Sequence, residues 1–337
     1  MKKISVIIPC FNATKYLPKC FMSLVQQTIG IEQLELIFVD DASTDNGATW
    51  CMLQEFERAY PESITVLKLE TNMRQGGARN IALQYATGEY IAFVDADDFV
   101  AEIFLLETYE KAKESDADII QFEYFYYTDR LGAVDSGRNV TPEVIEISSI
   151  SDRKKFLISE KVTYGCWNKL YRHDLLKTAH TAYAEHVIYE EPLFVYPLLY
   201  YADKIVILND AYYYYRQNDA GTMRNDMKQE ETLKMHADVQ LAVWNFMKET
   251  PFFQEYYDEI KLYFLHTYLY ETLYFAKLRD FKPSYSFYKE LEKTVIAEVP
   301  DYAQSVYSTI LPKQMVLYRM IEEGMTEDKF RQYWEGL

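Results

Sequence analysis

Short apolar runs recur through the N-terminal part of the chain and are separated by stretches with helical spacing. The runs are Ile4–Ile8, Leu34–Asp40, Tyr90–Val94 and a weaker one at Ile64–Leu69. They are rich in β-branched and aromatic residues and do not alternate with polar ones, which is typical of strands buried on both faces. Between them, segments such as Tyr16–Gln27 place apolar residues on one helical face. The pattern predicts an α/β fold with a doubly wound, mostly parallel sheet flanked by helices.

The pattern changes further along the chain. Asp118–Tyr127 predicts one more strand, whereas beyond Asn225 the apolar residues recur at helical spacing and form stripes. We therefore expect an α/β domain over residues 1–224 and an α-helical C-terminal region over residues 225–337.

Composition and charge narrow the class of protein. The chain has 337 residues, of which 49% are hydrophobic and 26% charged, so it can bury a large core and is not wholly disordered. Lys and Arg number 35 against 52 Asp and Glu, which gives a net charge of −17. Because nucleic-acid binding relies on basic patches, this acidity argues against nucleic acid as a partner.

Cysteine usage and the opening residues bear on location. Cys10, Cys20, Cys51 and Cys166 form no CxxC pair and no metal-ligand spacing, which favours buried thiols in a reducing compartment. The first apolar run is short and is interrupted by Pro9, unlike a signal sequence. No stretch of about 20 residues is free of charge, so the sequence predicts no membrane span. We expect a cytoplasmic protein.

Three carboxylates crowd the end of the predicted strand at Tyr90–Val94. Asp95, Asp97 and Asp98 follow it within a few residues, and like charges this close are unfavourable unless a cation neutralises them. Mg²⁺ and Mn²⁺ prefer oxygen ligands and often share their shell between one or two carboxylates and a substrate phosphate. The alternative is that these acids cap a helix that begins near Glu102.

Polar motifs also follow the other predicted strands. Asp40 and Asp41 end the second one, where a carboxylate can accept hydrogen bonds from a base or a ribose. As an alternative for part of this motif, Ser43, Thr44 or Asp45 can cap the next helix. A glycine pair precedes Arg79, whose side chain could reach a phosphate from a first helical turn. Doubly wound sheets bind ligands at the carboxyl ends of their strands. Together these motifs therefore predict a nucleotide site.

In order, the motifs resemble the signature of glycosyltransferase family 2, whose members have the GT-A fold. The matching residues are Val6-Ile7-Ile8-Pro9-Cys10-Phe11-Asn12, Val39-Asp40-Asp41-Ala42-Ser43-Thr44-Asp45, Ala78-Arg79-Asn80 and Val94-Asp95-Ala96-Asp97-Asp98. The resemblance implies that residues 1–100 form a nucleotide half and residues 101–224 an acceptor half of one GT-A domain.

The resemblance assigns roles to residues of the nucleotide half. It implies that Asp41 binds a uracil base and that Pro9 and Phe11 pack against that base. It further implies that Asn72 and Arg79 line the nucleotide. A UDP-sugar is the donor that this pattern favours.

The segment Asp95-Ala96-Asp97 matches the Asp-x-Asp motif of the family. The resemblance implies that Asp95 faces the ribose and the metal, that Ala96 lies at the nucleotide sugar, and that Asp97 holds Mn²⁺ or Mg²⁺. Asp98 either supports that ligand or caps the next helix.

A second block of resemblance lies in the acceptor half. Gly165–Arg172 resembles the acceptor-side segment of non-processive members, and a Glu-Asp pair usually follows it, whose aspartate is the catalytic base. Here the pair is Glu190 and Glu191, so the implied base is Glu191, with Glu190 second. Glutamate can serve as a base, but its side chain is longer by one methylene.

An arginine near the diphosphate completes the implied site. Arg216 matches that position, with Arg224 as a weaker candidate, and a surface ion pair of Arg216 with Asp219 is the alternative. The Gln-x-x-Arg-Trp pattern of processive synthases is absent from the sequence, so the resemblance implies that one sugar is added with inversion.

The implied function is transfer of one sugar from a nucleotide-sugar donor to a hydroxyl of a glycan or lipid-linked glycan acceptor, as in bacterial surface polysaccharide synthesis. Two alternatives stay open: a sugar-phosphate nucleotidyltransferase, and a catalytically weak module that binds a nucleotide sugar. The sequence also leaves open a peripheral association with the inner face of the cell membrane and a homo-oligomer formed through the C-terminal helices.

Overall fold

The early apolar runs form strands of one sheet in the computed structural model, which describes residues 2–217, 229–304, 306–307 and 321–335. The described strands are β1 Ile4–Cys10, β2 Leu34–Asp40, β3 Ile64–Lys68, β4 Tyr90–Phe93, β5 Phe99–Val100, β6 Ile119–Thr128, β7 Gly132–Asp135, β8 Glu143–Glu146, β9 Lys169–Arg172 and β10 Lys204–Arg216. All seven residues of β1 are buried. This burial is the reason that the run shows no polar alternation.

The sheet is mixed and mostly parallel. Its order is β3-β2-β1-β4-β9-β6-β10-β5, with β7 beside β6 and β8 beside β10. The strands β1, β2, β3, β4, β6 and β10 run in one direction, and β5, β7, β8 and β9 run against them. Helices flank this sheet, so the predicted α/β fold class is confirmed.

The strand order places a topological switch point at β1. The chain passes from β1 to β2 on one side, and β4 pairs with the other side of β1. The carboxyl ends of β1 and β4 therefore flank the crevice in which doubly wound sheets bind ligands. Phe11 follows β1 at this edge, and Asp95 follows β4.

The helices of the sheet-bearing part of the chain pack apolar faces against the sheet. They are α1 Leu17–Val25, α2 Ala48–Ala59, α3 Arg74–Leu83, α4 Phe104–Ser115, α5 Ile150–Leu157, α6 His173–Ala179 and α7 Glu191–Leu198, with a 3₁₀ turn at Ile31–Gln33. In α1 the residues Leu17, Phe21 and Leu24 are buried in the core cluster.

Helix α3 begins before its glycine pair. The hydrogen-bonding groups of Asp41 and Asn72 satisfy the main-chain N–H groups of Met73 and Arg74. Because free N–H groups at a helix start need such acceptors, the first turn can form at Arg74, upstream of the glycines.

The chain divides into two compact units, Met1–Asn225 and Asp226–Leu337. The described part of the second unit forms α8 Gln229–Lys248, α9 Tyr257–Phe264, α10 Thr272–Leu278, α11 Tyr285–Glu298 and α12 Glu327–Glu335, with a π-helical segment at Leu265–Glu271 between α9 and α10. Trp244 lies in its core, 4.9 Å from the ring of Phe264. Among the residues that the structure describes, no helix is long and apolar enough to cross a membrane.

Candidate active site

Two acids at the end of β2 are held by main-chain N–H groups. Asp40 is 1% exposed and accepts the N–H of Ser43 at 3.0 Å. Asp41 is 3% exposed, accepts the N–H of Met73 at 2.7 Å, and its carbonyl accepts the amide of Asn72 at 3.0 Å. Burial raises the pKa of Asp41 to about 6. The structure thus brings Asp41 and Asn72 together, as their predicted shared role requires.

The capping alternative for this motif is met by Asp45, one of the three residues that it named. Asp45 accepts both the main-chain N–H of Thr49, at 3.0 Å, and its hydroxyl, at 2.6 Å, in the first turn of α2. Asp40 and Asp41 therefore do not serve as the cap of that helix.

The loop after β1 lies beside the loop after β2. Pro9 is buried in β1 opposite Val39, whereas Phe11 is 47% exposed. The side chain of Asn12 joins the two loops. Its Nδ2 donates to the Thr44 hydroxyl at 3.1 Å, and its Oδ1 accepts the main-chain N–H of Thr44 at 2.8 Å. An exposed ring at the switch point is available to stack on a base.

Asp98 is a buried support for the turn after β4. Its carboxylate, 2% exposed, accepts the Tyr213 hydroxyl at 2.7 Å and the Arg216 N–H at 2.6 Å. The Tyr213 hydroxyl also accepts the N–H of Asp95 at 3.1 Å, and Ala96 is buried in the same turn. Burial, reinforced by the neighbouring acids, raises the pKa of Asp98.

The helix-cap interpretation of these acids is wrong. Helix α4 begins at Phe104, and its N-cap position, Ile103, makes no side-chain capping hydrogen bond. The acids lie too early in the chain, and Asp98 directs its carboxylate to β10 instead.

Arg216 is buried against the same turn. Its Nε donates to the Asp97 carbonyl at 2.8 Å, and its guanidinium pairs with Asp129 and lies 4.8 Å from the ring centroid of Tyr16 and 5.0 Å from that of Tyr127. The expected ion-pair partner Asp219 and the weaker candidate Arg224 lie outside the described residues. A role of Arg216 at a diphosphate stays a prediction.

Arg79 joins the two sides of the site. It is 1% exposed, with Nη1 2.6 Å from Glu190 Oε1 and Nη2 2.7 Å from Asp95 Oδ1. These two carboxylates raise the pKa of the guanidinium, whereas burial opposes that rise. The sequence motif suggested a phosphate ligand, but the side chain contacts two carboxylates here. A lining role at the nucleotide stays a prediction for this residue.

Glu191 lies in a different environment from Glu190. It is the first residue of α7, keeps part of its surface exposed, and accepts the Cys166 N–H at 2.7 Å. Glu190 is 6% exposed and bound to Arg79. Burial and the charge of Glu190 raise the pKa of Glu191 to about 7, against the influence of Arg79. A carboxyl group with this pKa can take up a proton near neutral pH.

One face of α3 contacts residues 183–184, which lie shortly before Glu190 in the chain. Asn80 accepts the Tyr183 N–H at 2.8 Å and donates to its carbonyl at 3.0 Å. A Cβ at Gly76 would overlap the Ala184 carbonyl oxygen, so only glycine permits this approach. The sequence motifs above do not predict this role. The signal was the spacing of Gly76, Arg79 and Asn80, which share a helical face.

Aromatic rings line strands β6 and β10 next to the turn after β4. The ring of Trp167 lies 4.7 Å from Tyr213, 5.5 Å from Tyr215 and 4.8 Å from Tyr124. Tyr126 is 38% exposed at this cluster. Such rings offer apolar faces to a sugar or polyol together with hydroxyl groups at the wet edge.

The donor set after β4 suits a cation that is shared with a substrate. Among the described residues, no group of three or more His, Cys, Asp or Glu side chains forms a metal cage. Asp98 is bound to β10 and Asp95 shares one oxygen with Arg79, while Asp97 is partly exposed in the same turn. One or two carboxylates completed by phosphate oxygens are a typical Mg²⁺ or Mn²⁺ arrangement, so the residues fit that mode.

The fold is α/β with a topological switch point at β1, and beside it Arg79 pairs with Asp95 and Glu190. The chain belongs to glycosyltransferase family 2. The family model described as "Glycosyl transferase family 2" matches residues 5–179, just over half of the chain.

Relatives and solved structures agree with this assignment. The chain is 32% identical over 233 residues to glycosyltransferase GlyG of Streptococcus pneumoniae, covering 66% of this chain and 73% of that protein. It is 30% identical over 224 residues to the poly(ribitol-phosphate) beta-N-acetylglucosaminyltransferase TarS of Staphylococcus aureus, covering 66% of this chain but only 36% of that longer protein. The crystal structure of S. aureus TarS 1–349 in complex with UDP-GlcNAc matches with a TM-score of 0.72 at 23% identity, covering 99% of this chain and 92% of that one. The GT-A fold is thereby shown.

Proposed function

We propose that this chain transfers one sugar, glucose or N-acetylglucosamine, from a UDP-sugar to a hydroxyl of a glycan or polyol-phosphate polymer of the cell surface, with inversion at the anomeric carbon. The names of two relatives support the sugar and the acceptor class, since one is a poly(ribitol-phosphate) beta-glucosyltransferase of Bacillus spizizenii and the other is TarS. The cytoplasmic location expected from the sequence is part of this proposal, because the donor and the acceptor must both reach the crevice.

The donor occupies the crevice at the ends of β1, β2 and β4. Phe11 stacks on the uracil beside the buried Pro9, and Asp41 accepts its imide N–H. Asn72, whose amide is held by the Asp41 carbonyl, lines the same face. These residues bind and orient the base, so their loss raises the donor KM.

The bridge made by Arg79 is the observation that carries the proposal. A transferase must place the leaving diphosphate and the acceptor base on either side of one anomeric carbon. Arg79 connects Asp95 of the Asp-x-Asp turn with Glu190 within a single guanidinium, at 2.7 and 2.6 Å. Glu191, next in the chain, is thereby fixed relative to the donor turn.

Glu191 is the catalytic base of the proposal. It accepts the proton of the acceptor hydroxyl as that oxygen forms its bond to the anomeric carbon, while the bond from that carbon to the UDP oxygen breaks and UDP leaves with the electron pair. Its raised pKa suits a base that works near neutral pH. Glu190 holds Arg79 instead and touches no reacting atom.

Asp97, together with Asp95, would hold Mn²⁺ or Mg²⁺ in this scheme. When bound, such a cation neutralises the charge that develops on the departing diphosphate. Ala96 keeps the turn narrow between the two acids, and Arg216 fixes its shape through the Asp97 carbonyl.

The decisive experiment incubates the purified chain with UDP-glucose or UDP-GlcNAc, a ribitol-phosphate oligomer and Mn²⁺, and measures UDP. We expect UDP release that depends on the acceptor and falls on chelation. Pyrophosphate release from UTP with a sugar phosphate would instead identify a nucleotidyltransferase, and tight UDP-sugar binding without turnover would identify a binding module. Either of these results contradicts the proposal.

A further inference from the structure

Lys169 is a fully buried cation beside the proposed base. It lies in β9 with 0% exposure, and its ammonium donates to the Gly165 carbonyl at 2.6 Å, to Asn168 Oδ1 at 2.8 Å and to Thr163 Oγ1 at 3.0 Å. Three acceptors match the three protons of an ammonium group. Burying a charge is costly unless it is paired and hydrogen-bonded. The three acceptors around the Lys169 ammonium therefore indicate that this charge serves a specific role in this part of the structure.

The contact with Gly165 places Lys169 at one end of a peptide unit whose other end faces Glu191. The Gly165 carbonyl and the Cys166 N–H belong to the same peptide. The carbonyl accepts the Lys169 ammonium at 2.6 Å, and the N–H donates to Glu191 Oε1 at 2.7 Å. A chain of hydrogen bonds polarises its members, so a cation at the carbonyl strengthens the N–H as a donor.

We propose that Lys169 is a positioning residue for transfer, acting on Glu191 through the Gly165–Cys166 peptide. The ammonium fixes the plane of that peptide and polarises it, and the peptide N–H in turn fixes the Glu191 carboxylate and favours its ionised form. The inference rests on the function proposed above and adds a residue that touches neither donor nor acceptor.

The charges around both groups agree with this assignment. Burial lowers the pKa of Lys169 to about 7, and Glu191 is the strongest influence that opposes the shift. The titratable groups that face Glu191 from the packed elements are Glu190, Arg79, Asp95, Cys166, Lys169, Tyr171 and Tyr215. Arg79 is already shared by Asp95 and Glu190, which leaves Lys169 as the cation on the Cys166 side of the base.

The test measures kcat, donor KM, UDP affinity and the pH profile of Lys169→Met and Lys169→Gln. In Lys169→Met we expect kcat to fall by about tenfold or more, as after the loss of an outer hydrogen-bond partner, with UDP affinity unchanged. The acidic limb of the profile moves to higher pH, because the weaker N–H donor raises the pKa of Glu191. Lys169→Gln keeps a donor for the Gly165 carbonyl without the charge and shows a smaller loss with the same direction of shift.

Arg153→Met is the matched control, because its guanidinium is also buried, donates to the main-chain carbonyls of Leu199 and Ala202, and pairs with Asp203. We expect a lower Tm for this variant with wild-type kcat and an unmoved acidic limb. If Lys169→Met does not fold, Lys169→Gln decides by the same readouts.

The outcomes separate this inference from the proposed function. A folded Lys169 variant with wild-type kcat, or one that loses activity with an unmoved acidic limb, overturns the inference. Glu191→Gln is assayed in parallel, and a fully active Glu191→Gln enzyme removes the proposed base and the inference with it.

Discussion

The acids of the site fall into two groups that differ in what neutralises them. Asp95 and Glu190 share the guanidinium of Arg79, and Asp98 accepts a tyrosine hydroxyl and a main-chain N–H. Glu191 makes no ion pair within the described part of the chain and rests on the N–H of Cys166. The first group is arranged to hold the turn and the helices in place. Burial and Glu190 raise the pKa of Glu191 to about 7, which suits the proton exchange that the proposed mechanism gives it.

Asp97→Ala removes the proposed cation ligand. We expect kcat for transfer to fall by about a thousandfold, because a bound cation supplies several kcal/mol of charge stabilisation to the leaving diphosphate. The readout is UDP release at saturating Mn²⁺. Asp210→Ala, an exposed acid in β10, is the control and should retain wild-type activity. An active Asp97→Ala enzyme would remove Asp97 from the proposed mechanism.

Arg79→Met removes the cation that pairs with Asp95 and Glu190. The buried Glu190 and the partly buried Asp95 then lose their partner, and breaking a buried pair costs about 3–5 kcal/mol of unfolding free energy. Urea denaturation followed by circular dichroism measures this loss. Arg74→Met, at the half-buried start of the same helix, should change the free energy by less than about 0.5 kcal/mol. Equal stabilities for the two variants would show that Arg79 is not the shared support.

The pH dependence of transfer separates Glu191 from the paired acids. A base must be ionised, so kcat/KM should fall as the pH drops through about 7, the raised pKa of Glu191. Unfolding at lower pH through this group does not explain the fall in kcat/KM. A carboxyl whose pKa is higher in the folded state binds its proton more tightly there, so this group favours the folded state as the pH drops below 7. A profile flat across neutral pH contradicts the assignment.

Tyr213→Phe lowers the unfolding free energy by less than Arg79→Met does, because it removes a hydroxyl and not a charge. It removes the hydroxyl that donates to Asp98 and accepts from Asp95, and a buried group left unsatisfied costs about 1–3 kcal/mol. The unfolding midpoint in urea reports the loss. Tyr214→Phe, whose ring stacks 4.5 Å from Phe99, is the matched control with an expected change below about 0.5 kcal/mol. A reversed ranking of the two variants contradicts the role given to Asp98.

Local chemistry made the strand ends and their acidic residues predictable from the sequence. The positions of Asp41 and Asp95 followed from apolar runs that end in acids, because a strand buried on both faces leaves its polar residues at its ends. The fold class followed from the same runs. Asp41 and Met73 lie on neighbouring loops of that sheet, so their contact needs little beyond the strand order.

The partners of the acceptor side come from distant parts of the chain. Arg79 meets Glu190 across 111 residues and Arg216 meets Asp98 across 118. Sequence spacing carries no signal for such pairs, which the packing of α3 and β10 decides. The family resemblance placed Glu191 ahead of Glu190, but no spacing in the sequence showed that Glu190 binds Arg79. Nor did spacing point to Lys169, whose proposed role depends on its contact with the Gly165 carbonyl.

The most direct measurement compares Glu191→Gln with wild type in a single turnover with saturating UDP-sugar and acceptor, together with the affinity of each for UDP. General-base catalysis contributes about 10²–10⁴-fold, so we predict a loss of that size for Glu191→Gln with UDP affinity unchanged. A rate within a few-fold of wild type in Glu191→Gln contradicts the central claim.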